Sequence, residues 1–580
     1  MNLIKEILFK KISPNGLSVF RIAYCLVFLS EVIRIFNYRQ LYYDTLPFLN
    51  PHFPDISALL ILWMVIIVFL ILGFLTRIMT IVNYIFTLVF ISSAVSYEYH
   101  MFYVYSGVNF MLIFLPIYSS ISIDALRKKI SCLRQGFLYV RPKVSKLNYL
   151  IPIFIALGLV YFDSVIFYKL ESPMWLRGLG LWLPSSLPQV TISDNQWLLN
   201  KEYLIKFFSY LTMYFEFIFI FLFWNKRFRL PLLIIGIGLH IGIVVEYPIP
   251  HFGWGCATIY LLMVPVSFWE KLSGKLFRNK EIFTIYYDKS NIYSREFQMI
   301  VQSLDIFNRI KYEKINTTKS SSLDKNNNGA FTYGVDLNEN KYSKNFLMKK
   351  IVKVSPFCFF IVFLDTLFIY KNPLRQEEVI DERSGMLMNF VELNDQNYQT
   401  RSIITNGILV MFFFVSCLAQ IQVHYSFFDK KETTLKVDRF LVEHFGICKH
   451  PVFMDMHFRG YSNVYGIKYK DSFLPLLNEK GMPGNYLSGA TWVNWTWRVN
   501  SPYVSKSMPT IRKGLVEYSS FWSHKNKIDL SEKQEFEIVR KKIRVPFEWE
   551  EGLLQNNIDS PWEKVGNLIW QNETPKLIWD

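Results

Sequence analysis

Four groups able to take or give a proton sit within or beside long apolar runs: His100, Lys169, His240 and His251. A lysine in a low-dielectric pocket has its ammonium form disfavoured and can serve as a base. An imidazole can donate to a developing oxyanion or shuttle its proton. Taken singly, each histidine fits equally well as an interfacial side chain with a satisfied hydrogen bond. Four such groups from distant positions at one depth argue for a shared cavity. Further ionisable groups interrupt apolar runs, where they are expensive. Glu31 and Arg34 are three apart, share a helix face and are expected to pair. Arg21 is expected to reach lipid phosphate. Glu216 is expected either to bridge helices by a hydrogen bond or to act in the site. The six cysteines show no CxxC spacing, so neither a disulfide framework nor a zinc site is legible, and they read as small buried hydrophobes.

These groups need elements to position them. Of 580 residues, 51% are hydrophobic and 17% aromatic, with a mean hydropathy of +0.20. That excludes a disordered polymer, and the length exceeds one soluble core. The fold class expected is mainly α: a polytopic transmembrane helix bundle with small cytoplasmic α/β and mixed segments. About eight spans of the required length fall at 17–35, 56–75, 78–96, 108–121, 149–168, 204–224, 230–245 and 252–268. Two more, at 352–370 and 403–423, form a hairpin; the first holds Asp365 and could instead be re-entrant. Lys5, Lys10 and Lys11 precede the first apolar stretch without a small-residue cleavage site, so it reads as an anchor.

The formal charge of +16 then orients the bundle. Arg127, Lys128, Lys129, Arg134, Arg141, Lys143 and Lys146 crowd one loop, and Lys226, Arg227 and Arg229 another, whereas 97–105 and 246–254 hold no Lys or Arg. The N-terminus is therefore expected in the cytoplasm, with Lys169 and the histidines at the outer face. The expected units are a transmembrane domain (1–270), a cytoplasmic segment with a low-complexity loop at 316–328 (271–350), the hairpin (351–427), and an aromatic-rich cytoplasmic C-terminal domain (428–580). A short outside loop, 371–401, joins the last two spans.

The stretch YFDSVIFYKLESPMWLRG at 161–178 resembles the vitamin K-dependent gamma-carboxylases and the wider HTTM membrane domain, through Lys169, Leu170, Glu171, Trp175 and Gly178. GLSVFRIAYCLVFLSEVIR, GFLTRI at Arg77, SISIDAL at Asp124 and GLHIG at His240 are similar to further pieces of that domain, covering roughly 10–270. The resemblance implies that Lys169 deprotonates a vitamin K-like quinol, that oxygen turns the anion into a strong base, and that this base removes a glutamate γ-proton before carbon dioxide adds. It further implies His100 and His240 as oxyanion partners, and Trp175 and His251 as contacts to the quinol. Tyr168 stands where the carboxylases have a second lysine, and no counterpart of their β-rich lumenal region is evident. The alternative is an inactive membrane scaffold that binds a membrane or cytoplasmic protein partner; a transporter would call for an inverted repeat, and none is visible.

Residues 282–315 read as strand, helix (near 294–308) and strand, and resemble the start of the DCC-type thioredoxin-like family. Asp288 is present, but Asn291 and Ser294 occupy the cysteine positions, so thiol exchange is excluded. The cluster GATWVNWTWRVNSPY at 489–503 could stack single-stranded nucleic acid, with Arg498 over a tryptophan. A folded aromatic core is the preferred reading, and no nucleic-acid partner is expected. The Lys- and Asn-rich style and the uncleaved anchor fit a bacterial inner membrane protein.

Overall fold

The computed structural model describes residues 10–43, 55–92, 94, 99–135, 137–138, 142–265, 267–268, 282–288, 291–305, 309–315, 332–361, 391–392, 396–459, 461–499 and 508–580. The chain is mainly helical, with two larger sheets.

Among the described residues, four helices are long and apolar enough to cross a membrane: Leu147–Glu171, Glu202–Leu222, Lys226–Glu246 and Ile403–Tyr425. This is fewer than the eight spans and a hairpin read from hydropathy, for local reasons. The first expected span is the helix Asn15–Asn37, whose 23 residues suffice in length but include Arg21, Glu31 and Arg34. Ser57–Leu72 and Thr76–Ile91 are apolar but shorter. The fourth begins earlier, at His100, and ends at Leu112; residues 113–121, with Pro116, form turns. The eighth stops at Tyr260, before Pro265.

The expected hairpin also differs. Its first half begins in the helix Lys344–Val354, whose Leu347, Ile351 and Val354 pack into the core of the small α/β unit with Phe283, Ile285 and Phe297. Residues 362–390, which include Asp365 and most of the expected outside loop, lie outside the described residues, as does the run 316–328. The strand Val391–Glu392 pairs with Phe137–Leu138, beside the basic loop. From there one helix, Gln396–Tyr425, traverses the bundle: Asn406 meets Asn148 near its start, and His424 meets Asp163 at its end.

The small unit is a four-stranded sheet. Phe283–Tyr287 is central and parallel to Ile310–Lys314, and antiparallel to Thr332–Asp336, which pairs with Lys341–Ser343. The helix Ile292–Leu304 connects the parallel pair, as its periodicity requires. Asn291 caps this helix through Oδ1, which accepts from Ser294 N at 3.0 Å. Ser294 Oγ accepts from Asp288 N at 2.9 Å and bonds Thr332 Oγ1 at 2.6 Å. The two polar residues at the cysteine positions therefore hold the turn together. The unit packs on the helix Ile123–Arg134, where Arg134 pairs with Glu296 at 2.5 Å.

The C-terminal region lies at the other end. Five antiparallel strands, in the order 472–473, 463–469, 534–542, 562–571 and 574–579, stack against the helices Ala490–Arg498 and Met508–Lys525. Trp495, Trp570, Phe536 and Ile538 are fully buried within it, so the tryptophans build a core, as expected. The side chain of Arg498 lies outside the described residues.

This region docks on the end of the bundle that carries Lys169. Trp492 Nε1 donates to Gln189 O at 3.0 Å, Trp549 Nε1 to Leu199 O at 3.1 Å, and Gly489 N to Pro248 O at 2.7 Å. The helix Gln396–Tyr425 brings the C-terminal region to the end of the bundle that carries Lys169. Arg34 is drawn the same way. Rather than pairing with Glu31, it donates to Ser488 O, Tyr486 O and Thr491 Oγ1, each at 3.2 Å. Arg21 does not reach for lipid: it is fully buried and donates to Ile117 O at 2.8 Å and Ile121 O at 2.6 Å.

Candidate functional site

Lys169 lies at the end of the span Leu147–Glu171, in the short 3-10 turn Lys169–Glu171 that follows the helix Leu159–Ile166. Upstream, Pro152 and a π-helical turn, Phe154–Gly158, interrupt the regular ladder; such turns often accompany sites because they re-aim the side chains beyond them. After Lys169, Ser172 caps the helix Pro173–Leu176 and bonds Asp455 of the C-terminal region. Trp175 Nε1 donates to Phe453 O at 2.9 Å. The Trp175 ring lies where Gly180 leaves room: a Cβ there would stand 2.3 Å from it. The site turn is thus held from both sides of the interface.

A cavity of about 410 Å³ lies between the bundle and the C-terminal region. From the bundle, Lys169, Trp175, Glu216, Tyr161, His240 and His100 line it; from the C-terminal region, residues 448–449, 451–453, His457, Trp492 and Val493. Lys169 is 4% exposed. Its Nζ donates to Glu216 Oε2 at 2.5 Å and sits 4.3 Å from the Trp175 ring centre. Glu216 is therefore a partner of Lys169, not a general helix bridge.

His240 occupies the opposite wall, where Gly253 packs against its backbone. Its Nε2 lies 2.7 Å from Tyr161 Oη, which is also 2.7 Å from Tyr260 Oη. With Nε2 accepting from Tyr161, the ring proton sits on Nδ1, a buried atom that has no protein partner.

Four of the five expected site residues, Lys169, His240, His100 and Trp175, thus share one cavity. His251 does not line it: it faces the buried Glu31, with Nδ1 to Oε2 at 3.5 Å. The half of the wall from residues 448–457 was not anticipated, because it sits on a connecting segment without periodicity.

That segment is fixed by Asp163, a fully buried carboxylate one turn and a half before Lys169. Its Oδ1 accepts from Gln420 Nε2 at 2.6 Å and contacts His424 Nε2 at 2.5 Å; its Oδ2 accepts from His450 N at 2.7 Å. Gly446, at φ +67°, ends the preceding helix and presses on Tyr103 O so closely that a Cβ would lie 1.8 Å away. Together these contacts set His450 against His100, with Nδ1 to Nδ1 at 3.4 Å. Burial pushes the His457 pKa down to about 4 and raises that of the Cys448 thiol.

A buried amine beside a carboxylate, a histidine with one free nitrogen and a mostly apolar wall can bind a small apolar acid and move its proton. Comparison of the chain with protein-family models, with curated proteins and with solved structures finds no match.

Proposed function

We propose that the chain is a membrane enzyme of the gamma-carboxylase-like class, with Lys169 as base toward a quinol or another lipid-soluble hydroxylic acid. The observation that carries this reading is the Lys169–Glu216 contact, 2.5 Å long and buried in a cavity of about 410 Å³. That volume falls in the range of roughly 300–1,000 Å³ typical of small-molecule sites. The proton accounting is simple. Lys169 passes a proton to Glu216 and becomes a free amine. The amine takes the proton of the bound hydroxyl, leaving an oxyanion beside the restored ammonium. His240 Nδ1–H donates to that oxyanion from the other wall. Trp175 lies against the ammonium and keeps water from it.

The five-stranded C-terminal unit stands on the same side as this cavity, where a substrate-gripping domain would act. With an outer-face Lys169, the C-terminal region is outside the cell and the small α/β unit in the cytoplasm of a bacterial inner membrane. The test is oxygen uptake by purified protein in lipid discs supplied with a reduced naphthoquinone. Wild type is expected to consume oxygen in a quinol-dependent way and Lys169→Ala to lose it while still running as the folded protein at the assay temperature. An active Lys169→Ala protein overturns the reading.

The scaffold alternative is favoured by Asn291 and Ser294, which replace two thiols with capping bonds. It predicts no quinol-dependent turnover in either protein.

A further inference from the structure

At the rim of the cavity, His100, Cys448 and His450 bring three ligand-type atoms within 4.8 Å of one another. We propose that these three residues form a transition-metal site that takes zinc(II), with its fourth position open to the cavity.

The argument begins with geometry. Zinc–nitrogen bonds of about 2.05 Å and a zinc–sulfur bond of about 2.3 Å give tetrahedral edges of about 3.3 Å between nitrogens and about 3.6 Å between nitrogen and sulfur. His100 Nδ1 and His450 Nδ1 stand 3.4 Å apart. Cys448 Sγ lies 4.0 Å from the same His450 Nδ1. The nitrogen edge already fits; Cys448 Sγ, which also lies 3.8 Å from His450 Nε2, is within 4.8 Å of both other ligand atoms, so closing the sulfur edges takes a shift of up to about 1 Å, within reach of a change in the Cys448 side-chain rotamer.

The three residues come from elements that are independently fixed. His100 opens the helix His100–Leu112, and its ring meets Tyr103 edge-on at 5.5 Å. Cys448 O accepts from Gln420 Nε2 at 3.1 Å, and His450 N donates to Asp163 at 2.7 Å. Both backbone clamps come from helices that cross the bundle, and Gly446 locks the segment onto Tyr103. Such outer contacts orient ligands before the ion arrives.

Ligand chemistry selects the ion. One thiolate and two imidazoles suit zinc and exclude magnesium and calcium, which want oxygen. A coordinating thiol is deprotonated by the ion itself. The Asp163 carboxylate, joined through the His450 amide, offsets the remaining positive charge in this buried place. Three protein ligands with one open position is the arrangement of reactive zinc sites, in contrast to the closed four-ligand structural ones. His100 and Cys448 also line the cavity, so the open position faces the space where Lys169 lies. The site does not depend on Lys169 being a base.

The test is metal binding by the full chain in lipid discs after chelator treatment. Zinc is titrated in competition with a chromophoric chelator, and cobalt(II) serves as a spectroscopic probe. The expected result is one zinc per chain and a thiolate-to-cobalt charge-transfer band. Cys448→Ser removes that band, and Cys25→Ser, at a buried thiol elsewhere, keeps it. His100→Gln, on a different element, lowers zinc affinity at least tenfold, as does Asp163→Asn, within the 10–100-fold typical of outer-shell changes. Lys169→Ala leaves binding unchanged, which separates this site from the fate of the enzyme reading. Wild type that retains no stoichiometric zinc, a cobalt spectrum unaltered in Cys448→Ser, or a site that takes copper(I) and not zinc overturns the assignment. Because the wild-type stoichiometry is itself decisive, a variant that misfolds does not shield the proposal.

Discussion

Removing one half of the Lys169–Glu216 pair should cost far more than removing both. The two charged atoms are 2.5 Å apart, with side chains 5% and 9% exposed. At an effective dielectric of about 20, a pair at that distance attracts by about 7 kcal/mol. Desolvating the two ions costs several kcal/mol each, so the intact pair is close to neutral for stability. Lys169→Met strands a carboxylate, and Glu216→Leu strands an ammonium that only Trp175 still faces. Each single change should destabilise by about 3–5 kcal/mol. The double variant should lie within about 2 kcal/mol of wild type, leaving a coupling of a few kcal/mol in the cycle. Urea unfolding of the four proteins in mild detergent, followed by tryptophan fluorescence with its several reporters at the interface, measures this. If the two single effects simply add, the pair is not the coupled unit that the buried geometry requires, and the proton exchange between Lys169 and Glu216 loses its basis.

Three further outcomes are expected. Gly446→Ala must place a Cβ against Tyr103 O at a backbone φ of +67°; the protein should lose at least about 1–3 kcal/mol, and protease should cleave the 446–453 segment first. Tyr161→Phe takes a partner from His240 and from Tyr260 at once, with an expected cost of about 1–3 kcal/mol in denaturant melts; a neutral result would mean that water fills the gap. His457 accepts from Met454 N at 3.2 Å and has its pKa lowered from 6.5 to about 4. The unfolded chain therefore binds the extra proton between these values, and stability should fall as the pH drops from about 6.5 to about 4, by up to roughly 3 kcal/mol. His457→Gln should flatten that slope in melting curves taken against pH.

That Lys169, His240 and His100 would meet at one cavity was legible because polar groups within or beside apolar runs are rare and because they lie on segments whose periodicity is readable; Trp175 came in only through the resemblance. The strand–helix–strand piece at 283–314 was legible because its contacts are local. The partners were not. Asp163 meets His450, and His100 meets it too, across hundreds of residues, and Cys448 and His450 lie in a connection that has no period. Glu31 and Arg34 obey the three-residue rule on their helix, yet Arg34 finds three backbone and hydroxyl oxygens in a domain that its own sequence neighbourhood cannot reveal. Span counting failed where length is cut by Pro116 and Pro265; most of the span expected at 352–370 lies outside the described residues.

The traverse by Gln396–Tyr425 has a consequence for biogenesis. On the topology proposed above, the small α/β unit and the C-terminal unit stand on opposite sides of the membrane, so the last segment would be exported after the rest of the chain has inserted. Until it arrives, the cavity has only the wall built by the bundle, Ser172 lacks Asp455, Trp175 lacks Phe453, and the thiol and imidazole at 448 and 450 are in another compartment from His100. A chain stopped before that step would carry its reactive lysine without a chamber to use it in. On that reading, completion of export, and not the making of Lys169, would be the event that switches the site on.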